Sequence, residues 1–128
     1  MNASAEVELL LAHYTPAVAE VARAVRDSVV AALPGCEEQA DAAANVIGFG
    51  YGPGYKGMIC TMILSRKGLK LGFSGGASLP DPDGLLEGSG KVHRYVAIAD
   101  RGAAEDPRLQ ALLATALAAW RARTGAAA

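Results

Sequence analysis

Hydrophobic positions in the first third of the chain recur at helical spacing. Residues 4–13 place Val7, Leu10 and Leu11 on one face of a short helix. Thr15-Pro16 reads as an N-cap followed by proline at the first helical position, where a missing N–H costs nothing. Val18, Val21, Ala22, Val25 and Val29 then follow at i, i+3, i+4 spacing, with Arg23, Arg26 and Asp27 on the opposite side. Leu33-Pro34-Gly35 ends this second helix. A polar stretch, Glu37–Asp41, follows with no element assigned to it.

From there the period changes. Residues 45–49, 58–65, 69–74 and 93–99 are short, apolar and rich in β-branched or aromatic residues, which predicts strands. Arg66-Lys67-Gly68 is a tight hairpin signal between the second and third. Met58–Leu64 is apolar on both sides and belongs in the centre of a sheet. Leu69, Leu71 and Phe73 alternate with Lys70 and Gly72, so that strand sets one face on the core. Asp106-Pro107 repeats the cap-then-proline signal. Leu109, Leu112, Leu113, Ala116, Leu117 and Trp120 form the stripe of a last helix, with Arg121 and Arg123 near its C-terminus, where cations favour the helix dipole. Gly125 and the alanines at 126–128 read as a frayed tail.

The predicted order is α-α-β-β-β-β-α. No strand–helix alternation demands parallel crossovers. The expectation is an α+β fold in which an antiparallel sheet of about four or more strands carries helices on one face. Residues 1–125 read as a single domain, and a chain of 128 residues can bury a real core without staples. The apolar share of 52% owes much to 27 alanines, so it is weak evidence for any particular fold.

Charge narrows the function classes. Twelve basic and thirteen acidic side chains give a net charge of −1, which argues against general nucleic-acid binding. The early Glu6 and Glu8, with no basic residue before Arg23, oppose a secretory signal. The run 58–64 is too short to span a bilayer. Cys36 and Cys60 have no Cys or His at metal-site spacing; they read as reduced thiols, and the chain as cytoplasmic.

Three segments carry candidate chemistry. In Leu79–Arg94, Pro80 and Pro82 stiffen the entry, and Asp81 or Asp83 can cap a turn through Leu85 and Leu86. Gly88-Ser89-Gly90 lets backbone amides converge before Lys91, His93 and Arg94, the makings of an anion site. A Walker loop is a poor match, because Gly-Ser-Gly-Lys-Val lacks the spacer and the hydroxyl and leads into a strand. The competing reading is a glycine turn whose cations pair with carboxylates such as Glu87. In Gly48–Gly57, glycines at 48, 50, 52, 54 and 57 argue against a rigid element. Tyr51 and Tyr55 there can flank a ligand or pack back on the core. Glu37, Glu38 and Asp41 form an acidic group with the residue types a hard cation needs.

Tyr14-Thr-Pro16, the Leu33-Pro34 helix end, Gly72-Phe-Ser-Gly-Gly-Ala-Ser-Leu79, Asp81-Pro82, Gly84–Lys91 and Arg94 together resemble the YdhG-like family of small bacterial domains of unknown function. That family belongs to a wider grouping with YjbR and CyaY. The resemblance spans roughly residues 6–121, and the glycine-rich segment 48–57 departs from it. It implies an α+β fold with an antiparallel sheet and supplies no activity. A relative in the wider grouping implies a frataxin-like iron chaperone, for which Glu37, Glu38 and Asp41 are the candidates here.

The leading expectation is a non-enzymatic domain, without a cofactor, that binds a small anionic ligand or a protein partner through Gly88, Gly90, Lys91, His93 and Arg94, flanked by Tyr51 and Tyr55. The alternatives are an iron-binding chaperone and a homodimer formed through a sheet edge. An enzyme has the least support. His13 and His93 have no coupled nucleophile, and Ser74, Ser78 and Ser89 sit in glycine-rich turns that suit serine for local hydrogen bonds.

Overall fold

The computed structural model describes residues 3–52, 55–66 and 68–125, with side chains for all of these except residues 3, 4 and 55. Two helices open the chain, α1 (Ala3–Leu11) and α2 (Pro16–Ala32). Five strands follow: β1 (Glu37–Asp41), β2 (Val46–Gly50), β3 (Met58–Ser65), β4 (Gly68–Phe73) and β5 (Arg94–Ile98). A one-turn helix α3 (Arg101–Ala104) and the long α4 (Pro107–Thr124) close it. The sheet is an antiparallel meander in the order β1-β2-β3-β4-β5. The expected α+β architecture is therefore present, with one more strand and one more short helix than the periodicity alone predicts.

The capping signals work as their chemistry requires. Thr15 Oγ1 accepts the Val18 N–H at 3.3 Å, and an Asp106 carboxylate oxygen accepts the Arg108 N–H at 2.9 Å. Each satisfies a backbone donor that the first turn of a helix leaves orphaned. Gly125 closes α4 in the left-handed conformation at φ 73°, a C-terminal position that glycine fills without strain.

Strand alternation sorts the sheet into two faces. Ile47, Met62, Leu71 and Val96 stand side by side across four strands, and all are buried against the helices. They join Val25 and Val29 of α2 and Leu109, Leu113 and Leu117 of α4 in one apolar cluster. At about 25 cal/mol per Å2 of apolar surface removed from water, this cluster is the main favourable contribution to folding. Among the described residues the opposite face carries no helix. There Ile63 is 40% exposed, and Lys70 and Ala97 are open to solvent.

A bulge links the faces. Phe49 pairs with Cys60 but Gly50 with Met58, so Ile59 is the extra residue. Ile59 and Cys60 are both buried, and the Met58 thioether crosses to the open face over Gly48. A Cβ at Gly48 would lie 2.6 Å from the Met58 methyl, and one at Gly50 would overlap the Gly57 carbonyl. The expectation that these glycines preclude a regular element is thus corrected. Gly48 and Gly50 are inside β2, and they are glycines because neighbouring atoms occupy the space of a side chain.

The strand absent from the sequence reading is β1. Its residues Glu-Glu-Gln-Ala-Asp have no apolar alternation to read, because an edge strand needs only a backbone partner and one half-covered face.

Candidate functional site

The loop leading to β5 folds back along the sheet edge. Glu87 forms an antiparallel bridge with Tyr95, its N–H 2.7 Å from the Tyr95 carbonyl and its carbonyl 3.1 Å from the Tyr95 N–H. Asp81, rather than Asp83, caps the turn: its two carboxylate oxygens accept the Leu85 and Leu86 N–H groups at 3.0 and 2.9 Å. Leu85 and Leu86 then pack against the core.

Within this loop Arg94 is turned inward on its own backbone. Its Nε donates to the Gly88 carbonyl at 3.0 Å, and a terminal nitrogen donates to the Gly90 carbonyl. The glycine turn therefore offers oxygens to Arg94, where the sequence reading expects amides offered to an anion. Arg94 acts as a tether for the loop. Gly88 lies under the Tyr95 ring at φ 106°, where a side chain would be strained and would crowd the ring edge. Lys91 and His93 are exposed on either side of Val92.

Tyr51 is also engaged. Its hydroxyl donates to the Pro34 carbonyl at 2.7 Å, and its ring stands 5.2 Å from that of Trp120, tilted by 33°. Trp120 Nε1 donates to the Lys56 carbonyl at 2.9 Å. Burial pushes the Tyr51 hydroxyl pKa up, with Cys36 nearby adding to the shift. These contacts are the packing use of the aromatic segment, joining the end of α2 to α4. The side chain of Tyr55 lies outside the described residues.

Two other cations line one cleft at a place the motif does not mark. Lys56, Ser74, Gly75, Val92 and Arg123 line a cleft of about 270 Å3. Trp120 fixes the backbone of Lys56, and Gly75 stands in the left-handed conformation beside the Arg123 guanidinium. Val92 is held because its carbonyl accepts the Ala77 N–H at 2.9 Å. Lys91 and His93 are its chain neighbours, and neither lines the cleft itself. Among the described residues none of Lys56, Lys91 and Arg123 is in an ion pair. A lysine, an arginine and a serine lining one small hollow supply the donor types that hold an anion by charge-assisted hydrogen bonds. Sequence reasoning missed Lys56, Ser74 and Arg123. They come from three distant elements, and no local spacing connects them.

The acidic group does not assemble. Pairing with β2 puts Glu37 and Asp41 on the open face, and strand alternation turns Glu38 to the other. Glu38 is held there by Arg26, at 2.8 Å from Nε and 2.6 Å from a terminal nitrogen. Asp41 instead accepts the Ala44 N–H at 3.2 Å in its turn. Among the described residues no group of three His, Cys, Asp or Glu is placed to hold a metal ion.

Both cysteines are free. Burial pushes the Cys60 thiol far up, as expected for a small core hydrophobe. Cys36 is half-buried and is raised by burial first and by Glu38 second, with Arg26 opposing. Among the described residues no helix is long and apolar enough to cross a membrane. Comparison with family models, with curated proteins and with solved structures finds no match to this chain.

Proposed function

We propose that the chain is a non-enzymatic binding domain of the YdhG-like kind that takes a small anion in the cleft of Lys56, Ser74, Gly75, Val92 and Arg123. The observation that carries this reading is the pairing of two cations, Lys56 and Arg123, on one small hollow with no carboxylate bonded to either among the described residues. Arg123 sits in the last turn of α4, whose C-terminal dipole favours its charge. An anion completes the site by neutralising the two like charges that line it. Lys91, one residue from the Val92 of the lining, supplies a third cation. Two free thiols fit an intracellular, cytoplasmic setting.

The test is thermal unfolding with inorganic phosphate. Phosphate should raise the Tm of the wild-type chain, since a ligand that binds only the folded state stabilises it by mass action. Lys56→Ala with Arg123→Ala should abolish that rise, and Lys91→Ala should reduce it. A wild-type Tm indifferent to phosphate, or a rise that survives the double substitution, overturns the reading.

A further inference from the structure

We propose that the helix-free face of the sheet is a homodimer interface, packed face to face about a two-fold axis that runs between β2 and β3. The surface is separate from the anion cleft, and the register of the sheet specifies the partner.

Asp41, Val46, Ile63, Lys70 and Ala97 pair in turn across all five strands and so form one row on the open face. Read over its first four positions, the row is negative, apolar, apolar, positive. A two-fold axis parallel to the strands and midway between Val46 and Ile63 maps this row onto itself reversed. Asp41 then stands over Lys70 of the second copy, Val46 over Ile63, and each contact occurs twice. That is the self-complementarity an isologous interface requires. Other placements of the axis lose it: centring on β3 sets Lys70 over Val46 and leaves both charges without a partner.

The rest of the face suits close approach. The next row, Gln39, Gly48, Thr61, Gly72 and Tyr95, has glycine at two of its five positions, both among the three central strands. The Met58 thioether lies over Gly48, and the Ile63 side chain reaches to 3.5 Å from where a Gly72 Cβ would stand. Around the axis at β2 and β3 the result is a low, largely apolar strip, able to meet its copy at the ~10 Å separation of packed sheets. The Lys70 ammonium lies at the β5 margin of this strip, with Nζ 4.4 Å from the centroid of the Tyr95 ring. Charges at the margin of an apolar strip define register and reject wrong partners more than they add affinity.

Sedimentation equilibrium of the full chain, up to about 1 mM, tests this proposal. The wild type should dimerise, and Ile63→Glu should leave a monomer. Lys70→Asp and Asp41→Lys should each weaken the dimer by about tenfold or more, and the two together should restore it. Asp41→Asn, which keeps an acceptor for the Ala44 N–H, separates loss of charge from loss of the turn and should weaken the dimer too. A wild type that stays monomeric overturns the proposal. So does a dimer indifferent to Ile63→Glu, which would place the contact at a strand edge, or a double charge exchange that fails to restore association.

Discussion

Arg94 Nε donates to the carbonyl of Gly88 at 3.0 Å, so the last residue of a glycine-rich loop holds that loop's own backbone. Hydrogen bonds from charged donors are worth about 1.5–3 kcal/mol when shielded and less near water. Arg94→Ala should therefore cost about 1–2 kcal/mol in urea unfolding, and Lys91→Ala should lie within about 0.5 kcal/mol of wild type. Equal effects at the two positions would remove the distinction between tether and free cation.

The Tyr51–Trp120 contact can be divided into parts. Tyr51→Phe keeps the ring stacking and deletes only the bond to the Pro34 carbonyl, for an expected loss of about 1 kcal/mol. Trp120→Ala removes the ring contact and the bond to Lys56 together, and should cost about 3 kcal/mol or more. Trp120 is the single tryptophan, so its fluorescence reports this junction directly for the Tyr51 variant.

Two ion pairs with similar lengths should differ in worth. Arg23 and Glu8 are each about half exposed at 2.7 Å, whereas the Glu38 side chain is 8% exposed beneath Arg26. Removing Arg26 strands a buried carboxylate and should cost about 2–4 kcal/mol by urea denaturation. Arg23→Ala should cost less than about 1 kcal/mol, and less again in high salt.

Gly48→Ala should destabilise the fold by about 1–3 kcal/mol, because its new methyl group meets the Met58 thioether. In the background of Met58→Ala the same change should cost much less. A double-mutant cycle measures that coupling.

The thiols contribute to the alkaline limb of stability. The folded-state pKa of Cys36 is raised by burial and by Glu38, so folding favours the protonated form. That contribution is complete below the ordinary thiol pKa and is lost as pH rises through the raised one. The urea midpoint should fall from neutral pH into the alkaline range, and Cys36→Ala should flatten part of the decline. A thiol reagent should modify Cys36 slowly in the native protein and reach Cys60 only on unfolding.

The amino-acid sequence by itself determined the elements whose signals are local. Thr15-Pro16 and Asp106-Pro107 start their helices through side chains two or three residues from the amides they cap, and Leu69, Leu71 and Phe73 declare their inner face by alternation alone. It also placed β3 at the centre, and it narrowed the cap of the 81–86 turn to Asp81 or Asp83, of which the structure uses Asp81. Tertiary structure alone decided the rest. β1 exists because β2 offers it a backbone ladder. Gly48 is needed because Met58 crosses a bulge, and the cleft cations Lys56 and Arg123 meet only when α4 packs beside the sheet. Arg94 passed from the candidate anion site to a structural tether because its partners are main-chain carbonyls, which every residue possesses and no side-chain pattern reveals. Spacing along a chain encodes contacts within a helix turn or a hairpin. Contacts between distant elements depend on packing, and packing is set by the whole core at once.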